Sequence, residues 1–187
     1  KDQKQHLEMT RDIATKFNMT YCKEFDAQTG EGGALILPEA HVLESTAVVP
    51  GIDGQKMSKS YGNGIPIFDT DKRLKKRVMS IVTDSTPLEA PKQWQACNVY
   101  ALMKLFMSDD ELSQQRADYE KGGVGYGHFK LRLLEKIHDT FGEARARRED
   151  LATRPDEVRD ILADGASKAR EVAATVLDDV KRACGIR

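Results

Sequence analysis

Apolar residues recur at spacings of three and four from residue 71 almost to the end of the chain, the pattern of successive amphipathic α-helices. The first of these helices is basic on one side and apolar on the other, where the apolar face consists of Leu74, Val78, Ile81 and Val82. The next helix carries two apolar stripes, one of which includes Trp94 and Leu105, and is therefore predicted to be buried. The pattern predicts a helical bundle for residues 71–187.

Residues that start and stop helices divide this region further. Ser108 and Glu111 have the spacing of a capping box and predict a helix start, and Gly122 predicts the end of that helix. A following helix contains Phe129 and is predicted to end near Gly142.

The last part of the bundle is predicted to hold two helices. Pro155 should open the first of them, and Gly165 should stop it. The final helix should end at Gly185 and face the core with Ala169, Val172, Ala173, Val176, Val180 and Ala183.

The first 70 residues have a different texture, with more glycine and shorter apolar runs. Residues 3–17 have helical spacing, whereas the apolar run 34–37 is more typical of a strand, as are the similar fragments 42–43 and 47–49. Residues 50–66 form a glycine-rich loop that is longer than most connections, and such loops in compact domains are usually functional or disordered.

Composition excludes several classes of protein. The 187 residues are 40% hydrophobic and carry 29 basic against 30 acidic side chains, which indicates a globular chain that does not coat nucleic acid through bulk charge. No apolar run approaches the ~20 residues of a membrane-spanning helix. The three cysteines and four histidines are scattered, so neither a disulfide framework nor a metal site is expected, and a reducing cytoplasm fits best.

Residues 51–64 contain the sharpest local signal, two lysines three residues apart between flanking glycines. Lys56 and Lys59 are separated by an apolar anchor, Met57, and a small hydroxyl residue, Ser58. The glycines let the segment move, so both ammonium groups could converge on a polyanion while hydroxyl or backbone N–H groups bind phosphate oxygens. The plain alternative is a solvated surface loop with two ordinary lysines.

The string K-M-S-K-S at residues 56–60 is the signature loop of class I aminoacyl-tRNA synthetases, and the surrounding sequence resembles the tryptophanyl-tRNA synthetase family. Residues 2–14 resemble the helix that follows the G-x-D-Q element of that family, and three further segments match it, namely 82–85, 126–130 and 164–169. Tyrosyl-tRNA synthetases share the loop and the fold but match residues 2–14 less well.

The resemblance implies a reaction and a set of site residues. Tryptophan would attack the α-phosphate of ATP to give tryptophanyl-adenylate and pyrophosphate, and the acyl group would then pass to tRNA(Trp). Lys56 and Lys59 would hold the β- and γ-phosphates together with Mg²⁺ as charge moves onto the leaving pyrophosphate, and there is no permanent cofactor. The ATP-binding residues implied in the loop are Lys56, Met57, Ser58, Lys59 and Ser60.

Four further positions transfer from the family. Lys1 and Asp2 correspond to the end of the G-x-D element, which contacts ATP, and Gln3 corresponds to a residue that meets the bound tryptophan. Val48 lies where the family makes a backbone contact to adenine. Asp2 and Gln3 have an equally good structural interpretation as residues that cap the N-terminus of the first helix.

The resemblance also implies what the chain lacks. The H-x-G-H element of class I enzymes and the tryptophan pocket should lie upstream of residue 1, since the string at residues 125–128 keeps only the end of such an element and lies in the helical half. The chain is therefore expected to be the C-terminal portion of a longer enzyme and to be inactive alone. Its expected fold is mostly α, with residues 1–70 ending a Rossmann-like α/β nucleotide-binding domain and residues 71–187 forming the helical anticodon-binding domain.

Partners follow from the same resemblance. Two basic clusters, 72–77 and 145–148, could contact tRNA phosphates, although each is more simply a solvated helix face. The full-length protein is expected to be a cytoplasmic homodimer, and a monomer is compatible with the fragment. Two other readings stay open: a tyrosyl-tRNA synthetase fragment, and a non-catalytic helical RNA-binding module with a vestigial lysine loop.

Overall fold

The computed structural model describes residues 3–42 and 48–186, and the secondary structure in these ranges is helical without β-strands. This agrees with the expectation of a mostly α chain. The helices are α1 (Lys4–Tyr21), α2 (Asp71–Met79), α3 (Asn98–Met103), α4 (Asp109–Lys121), α5 (Tyr126–Ala152) and α6 (Pro155–Ala183).

The chain forms two compact units. The central unit spans residues 43–152 and the terminal unit combines residues 1–42 with residues 153–187. The boundary expected from the sequence at residue 70 lies inside the central unit, so it does not coincide with a boundary between the compact units. The division of functions at residue 70 stays a prediction.

The core of the central unit is formed by α2, α3, α4 and α5. Tyr119 of α4 stacks on Phe129 of α5 with a ring-centroid distance of 3.8 Å, and both side chains are fully buried. The other buried members of the core are Leu74, Val78, Ile81, Cys97, Val99, Tyr100, Leu102, Met103, Leu112, Leu133, Leu134 and Ile137. Three of the four residues predicted for the apolar face of the first bundle helix are therefore in the core.

Val82 is the exception, because its side chain is 56% exposed. The helix α2 ends at Met79, so the helical spacing no longer sets the direction of residue 82. Val82 instead lies in a segment outside any helix, where its backbone N–H donates to the Ile52 carbonyl at 2.7 Å.

The helix predicted around Trp94 is shorter than expected, because Trp94 precedes the start of α3 at Asn98. The indole packs on the Tyr100 ring with a centroid distance of 5.0 Å and donates to Glu120 at 3.0 Å. Trp94 is thus a packing residue, as expected.

The capping box predicted at Ser108 is present. The Glu111 backbone N–H donates to Ser108 Oγ, and the Glu111 carboxylate accepts from the Ser108 backbone N–H at 2.8 Å. Helix α4 ends as expected at Gly122, whose φ of 75° favours glycine; an added Cβ there would lie 2.4 Å from the Glu89 carbonyl oxygen.

The helix ends predicted at Gly142 and Gly165 are wrong. Helix α5 continues through Gly142 to Ala152, and α6 runs as one helix through Gly165 to Ala183. A single internal glycine costs a helix about 1 kcal/mol relative to alanine, which strong helix formers on both sides can offset. Neither glycine has the positive φ of a helix-ending residue.

In the terminal unit, the run 34–37 is not a strand, contrary to the prediction. Both backbone hydrogen-bonding groups of Leu35 are paired with the buried Asn18 side chain, which donates to the Leu35 carbonyl at 2.7 Å and accepts from the Leu35 N–H at 3.0 Å. A side chain of α1 therefore takes the place of a neighbouring strand. Val42, Val48 and Val49 are not in strands either, and residues 43–47 lie outside the described residues.

The predicted core face of the last helix is also wrong for this chain, because α6 has no buried side chain among its residues. Val172 is 72% exposed and Leu162 is 67% exposed. The spacing identified an amphipathic face correctly, but periodicity does not say which element covers such a face.

Candidate functional site

The lysine loop, defined as residues 51–64, begins with a tight turn in the central unit. The Gly51 N–H donates to the Gln55 carbonyl at 2.7 Å, and Pro50 forms an antiparallel bridge with Lys56. Gly54 has a φ of 81° in this turn, a backbone angle that favours glycine. The turn is closed by the Met57 N–H, which donates to the Val49 carbonyl at 2.8 Å, so Lys56 lies at the start of a chain segment whose backbone is fixed.

Asn63 is the buried centre of the loop, with only 2% of its side chain exposed. Its Oδ1 accepts from the Ser58 N–H at 2.8 Å, while its Nδ2 donates to Asp53 Oδ1 at 2.9 Å and to the Lys56 carbonyl at 3.1 Å. The Asn63 hydrogen bond is the main cause that holds the pKa of Asp53 below its usual range, with a further contribution from the Gln55 N–H. One amide thus ties both ends of the loop together.

Arg77 of α2 fixes the far side of the loop. Its guanidinium donates through Nε to the Gly64 carbonyl at 2.8 Å, and its Nη2 donates to the Gly62 carbonyl. The Gly62 N–H in turn donates to the Lys59 carbonyl at 3.2 Å. The backbone that carries the second lysine is therefore attached to a helix of the packed core.

The lysine side chains face solvent from this fixed backbone. Lys56, Lys59 and Ser60 are exposed, whereas Met57 and Ser58 are half-buried, which agrees with the role of Met57 as an apolar anchor. Ser58 Oγ and Ser60 Oγ lie 2.8 Å apart. Exposed ammonium groups on an anchored loop are accessible to a polyanion.

A cavity of about 880 Å³ lies beside the loop, and basic residues of α2 form much of its wall. Lys59 and Ser58 line it from the loop, and Arg73, Lys76 and Arg77 line it from the helix. Asp69 is the acidic residue in the wall, and its carboxylate pairs with Arg73 Nε at 3.1 Å. The excess of positive charge makes the cavity suited to an anion.

The sequence alone does not connect these helix residues with the lysine loop. It predicts the cluster 72–77 to be a solvated helix face or a contact for tRNA phosphates. The spacing of Arg73, Lys76 and Arg77 at i, i+3 and i+4 was the available signal, because these positions share one side of a helix.

The second basic cluster is only partly available to a ligand. Arg145 is 9% exposed and donates through Nη2 to Asp71 Oδ1 at 2.7 Å and to the Asp69 carbonyl at 2.6 Å. The Arg145 guanidinium is therefore paired inside the central unit, where it links α5 to the start of α2.

The remaining predicted site residues lie outside the lysine loop. Lys1 and Asp2 lie outside the described residues. Gln3 occupies the N-cap position of α1 in the terminal unit, but its side chain is exposed and makes no capping hydrogen bond, so the structural interpretation of Gln3 as a capping side chain is wrong. Val48, just before the lysine loop, is 59% exposed.

Two further segments that carry the family resemblance meet in the central unit. Tyr126 donates from Oη to Asp84 Oδ1 at 2.9 Å, and Lys130 Nζ donates to the Met79 carbonyl at 3.0 Å. Burial, assisted by the bond to Asp84, raises the pKa of Tyr126 to about 12. These residues join the end of α2 to the start of α5, which is a structural role.

In the described ranges, His, Cys, Asp and Glu side chains form no group of three that could hold a metal ion. Searching the same ranges for a helix both long and apolar enough to cross a membrane finds none.

The sequence profile of the family described as "tRNA synthetases class I (W and Y)" matches residues 1–142. The chain is 48% identical over 186 residues to a protein of Fusobacterium nucleatum named Tryptophan--tRNA ligase, and 45% identical to one of the same name from Rhodopirellula baltica. These matches cover all of this chain but 54% and 55% of the two relatives, so the chain spans about half of their length.

Solved structures give the same result. The crystal structure of tryptophanyl-tRNA synthetase from Campylobacter jejuni complexed with ADP and tryptophan matches with a TM-score of 0.80 and 45% sequence identity, covering 100% of this chain and 55% of that one. The enzyme from Mycoplasma pneumoniae, at 22% identity and a TM-score of 0.71, shares the fold over 100% of this chain and 56% of its own. With the lysine loop intact and most of its length matched by one family profile, the chain belongs to the class I tRNA synthetases of the W and Y family.

Proposed function

We propose that this chain is part of an enzyme that activates tryptophan with ATP and transfers it to tRNA(Trp). The observation that carries the proposal is the pair of exposed lysines on a loop whose backbone is fixed, beside a basic cavity. The names of the relatives support tryptophan as the amino acid, and the Campylobacter jejuni structure contains ADP and tryptophan.

In this proposal the lysines act on the leaving group. Tryptophan's carboxylate attacks the α-phosphate, the bond between the α-phosphate and the bridging oxygen breaks, and negative charge accumulates on the departing pyrophosphate. Lys56 and Lys59 neutralise that charge, together with Mg²⁺ bound to the ATP. Phosphoryl chemistry of this kind depends mainly on positioning and on electrostatic stabilisation, both of which ammonium groups on a fixed backbone provide.

Lys59→Ala in a full-length synthetase that carries this chain tests the proposal. Loss of one preorganised charge-stabilising donor typically lowers the rate ~10²–10³-fold, and we expect a loss of this order in single-turnover adenylate formation. Lys56→Ala should have a somewhat milder effect. The matched control is Lys121→Ala, which removes an exposed lysine of α4 outside the cavity wall and should leave the rate unchanged.

An unchanged rate for Lys59→Ala would defeat the assignment. A loss of equal size in Lys121→Ala would contradict it as well, because the effect would then follow from net charge rather than from the position of the lysine.

The remaining ATP and tryptophan contacts are proposed on the resemblance alone. Lys1, Asp2, Val48, Met57, Ser58 and Ser60 would contact ATP, and Gln3 would contact tryptophan. The H-x-G-H element and the tryptophan pocket would belong to a part of the enzyme outside this chain. The isolated chain should therefore not form adenylate, and turnover above background would overturn this expectation.

We also propose a division of labour at residue 70, with residues 1–70 completing the catalytic domain and residues 71–187 contacting the tRNA anticodon. A cytoplasmic homodimer is the expected form of the whole enzyme. In the basic cluster 145–148, Arg145 is engaged in internal contacts with Asp71. Exposed residues of the cluster 72–77 are therefore better candidates for contacts with tRNA phosphates.

Two other functions remain to be separated from this one. A tyrosine-specific enzyme is distinguished by the amino acid that the full-length protein activates. A non-catalytic RNA-binding module with a vestigial loop is disfavoured because both lysines and the anchoring network are intact; an absence of any ATP or pyrophosphate binding would favour it.

A further inference from the structure

We propose that Asn63 is the positioning residue of the lysine loop, which sets the direction of both lysines through a single buried amide. The inference rests on the proposed function of Lys56 and Lys59. It concerns a residue outside the K-M-S-K-S string, to which no role has been given.

The placement of the three Asn63 hydrogen bonds carries the argument. The amide binds the Lys56 carbonyl at 3.1 Å and the Ser58 N–H at 2.8 Å, which are the backbone groups on either side of Met57. The first group belongs to one lysine and the second belongs to the residue before the other lysine. Fixing both groups fixes the direction in which the two lysine side chains leave the backbone.

The amide is itself fixed. Its Nδ2 also binds Asp53 Oδ1 at 2.9 Å, and the Asn63 carbonyl accepts from the Ile52 N–H at 2.9 Å. The Ile52 carbonyl in turn accepts from the Val82 N–H at 2.7 Å, beyond the end of α2. Asn63 is therefore joined to the packed part of the central unit.

Gly51 shows how little space surrounds the amide. A Cβ added at Gly51 would lie 2.4 Å from Asn63 Nδ2 and 2.8 Å from the Asn63 carbonyl oxygen. The absence of a side chain at residue 51 lets the amide approach closely enough to form all its bonds. Gly51→Ala should thus displace Asn63 without a change in any lysine or in Asn63 itself.

The chemistry of an amide is specific here because one group must accept and donate at once. An aspartate of nearly the same shape could still accept from the Ser58 N–H. Once ionised it could donate neither to Asp53 nor to the Lys56 carbonyl, and it would place a second negative charge beside the Asp53 carboxylate.

A double-mutant cycle in the full-length synthetase tests the proposal. Asn63→Ala should lower single-turnover adenylate formation by about 10²-fold, the size of effect that a misplacement of about 1 Å can cause, with KM for tryptophan unchanged. If Asn63 acts through both lysines, Asn63→Ala should slow the Lys59→Ala variant by less than it slows wild type, and should have little effect on a variant that lacks both Lys56 and Lys59. Multiplying losses would overturn the proposal, since Asn63 would then contribute independently of the lysine.

Two variants guard against a merely structural explanation. Gly51→Ala enters the same cycle and decides the question if Asn63→Ala does not fold; it should show the same non-additivity with Lys59→Ala. Asn63→Asp should be less active than wild type, and this defect should become smaller as the pH falls and the introduced carboxyl is protonated, because the protonated form can donate one hydrogen bond. A pH profile of Asn63→Asp parallel to that of wild type would count against the proposal.

The outcomes also separate this inference from the proposed function. If Lys59→Ala has no effect, the proposed function fails, whatever Asn63 does. If Lys59→Ala has its expected effect while Asn63→Ala and Gly51→Ala are as active as wild type, the inference about Asn63 alone is overturned.

Discussion

The central and terminal units differ in how they treat their apolar side chains. In the central unit, α2, α3, α4 and α5 bury a continuous core. In the described part of the terminal unit, only Ala14 and Asn18 are buried, and large apolar side chains of α6 such as Val172 are exposed. The proposed catalytic loop belongs to the unit with the core. Positioning of charge requires a rigid support, and the central unit supplies one.

The largest expected difference between the units concerns core truncation. Phe129→Ala removes a fully buried ring that stacks on Tyr119, so the 187-residue chain should lose about 3–5 kcal/mol of stability in the central unit. Hydrogen exchange of α5 amides measures this loss. Protection of α5 equal to that of the unaltered chain would contradict the packing described.

Asn18→Ala is the corresponding test of the terminal unit. The change leaves the Leu35 N–H and carbonyl without the Asn18 amide, and unpaired groups of this kind cost about 1–3 kcal/mol. We expect faster exchange at Leu35 and in α1, with α5 unaffected. An equal loss of protection in both units would show that they unfold together.

A smaller effect is expected from the cap of α4. Ser108→Ala removes the side-chain acceptor of the Glu111 N–H, and loss of such a cap typically costs about 1 kcal/mol. Chemical denaturation of the chain followed at α4 should show this loss, while Ser108→Asp should restore most of it. Failure of Ser108→Asp to recover stability would point to a cause other than capping.

A pH-dependent contribution comes from the same cap. A hydrogen bond from Lys136 Nζ, followed by those from Ser108, lowers the pKa of Glu111 to about 2 from its ordinary value of 4.5. Because the folded-state pKa is depressed, the stabilisation is present above pH 4.5 and is lost as the pH falls towards 2. Lys136→Met should raise the pKa of Glu111, which carboxyl-resolved NMR titration would detect; an unchanged pKa would assign the shift to Ser108 alone.

The smallest expected effect is in α6. Val172→Ser replaces a side chain that is 72% exposed, so the stability of the 187-residue chain should change by no more than about 0.5 kcal/mol. Thermal unfolding of the chain measures it. A large loss would show that this face of α6 is covered in solution.

The sequence was most informative where a local rule decides the structure. Helical spacing identified Leu74, Val78 and Ile81 as core residues, and Ser108 with Glu111 identified a helix start. The lysine loop was recognised from five consecutive residues. Each of these features depends on neighbours within a few positions, so a single sequence contains enough information to predict it.

Features that depend on distant partners could not be predicted in the same way. The run at 34–37 has strand-like composition, yet Asn18 of α1 satisfies the Leu35 backbone. The roles of Asn63 and Arg77 in the loop come from contacts across a turn and with a helix, which no periodicity encodes.

Gly165 was misleading for a local reason. Glycine is the residue type that commonly ends a helix, but the tendency of the neighbouring residues to continue the helix outweighs it here.

The most direct test of the role of Lys59 is to compare its contribution to ATP binding with its contribution to the rate of the reaction. In the full-length synthetase, ATP affinity and the rate of adenylate formation should be measured side by side for Lys59→Ala. If Lys59 neutralises charge that develops on pyrophosphate, the rate should fall by ~10²–10³ while the dissociation constant of ATP changes far less. A loss confined to ATP affinity, with the rate at saturating ATP intact, would contradict a role for Lys59 in the bond-breaking step.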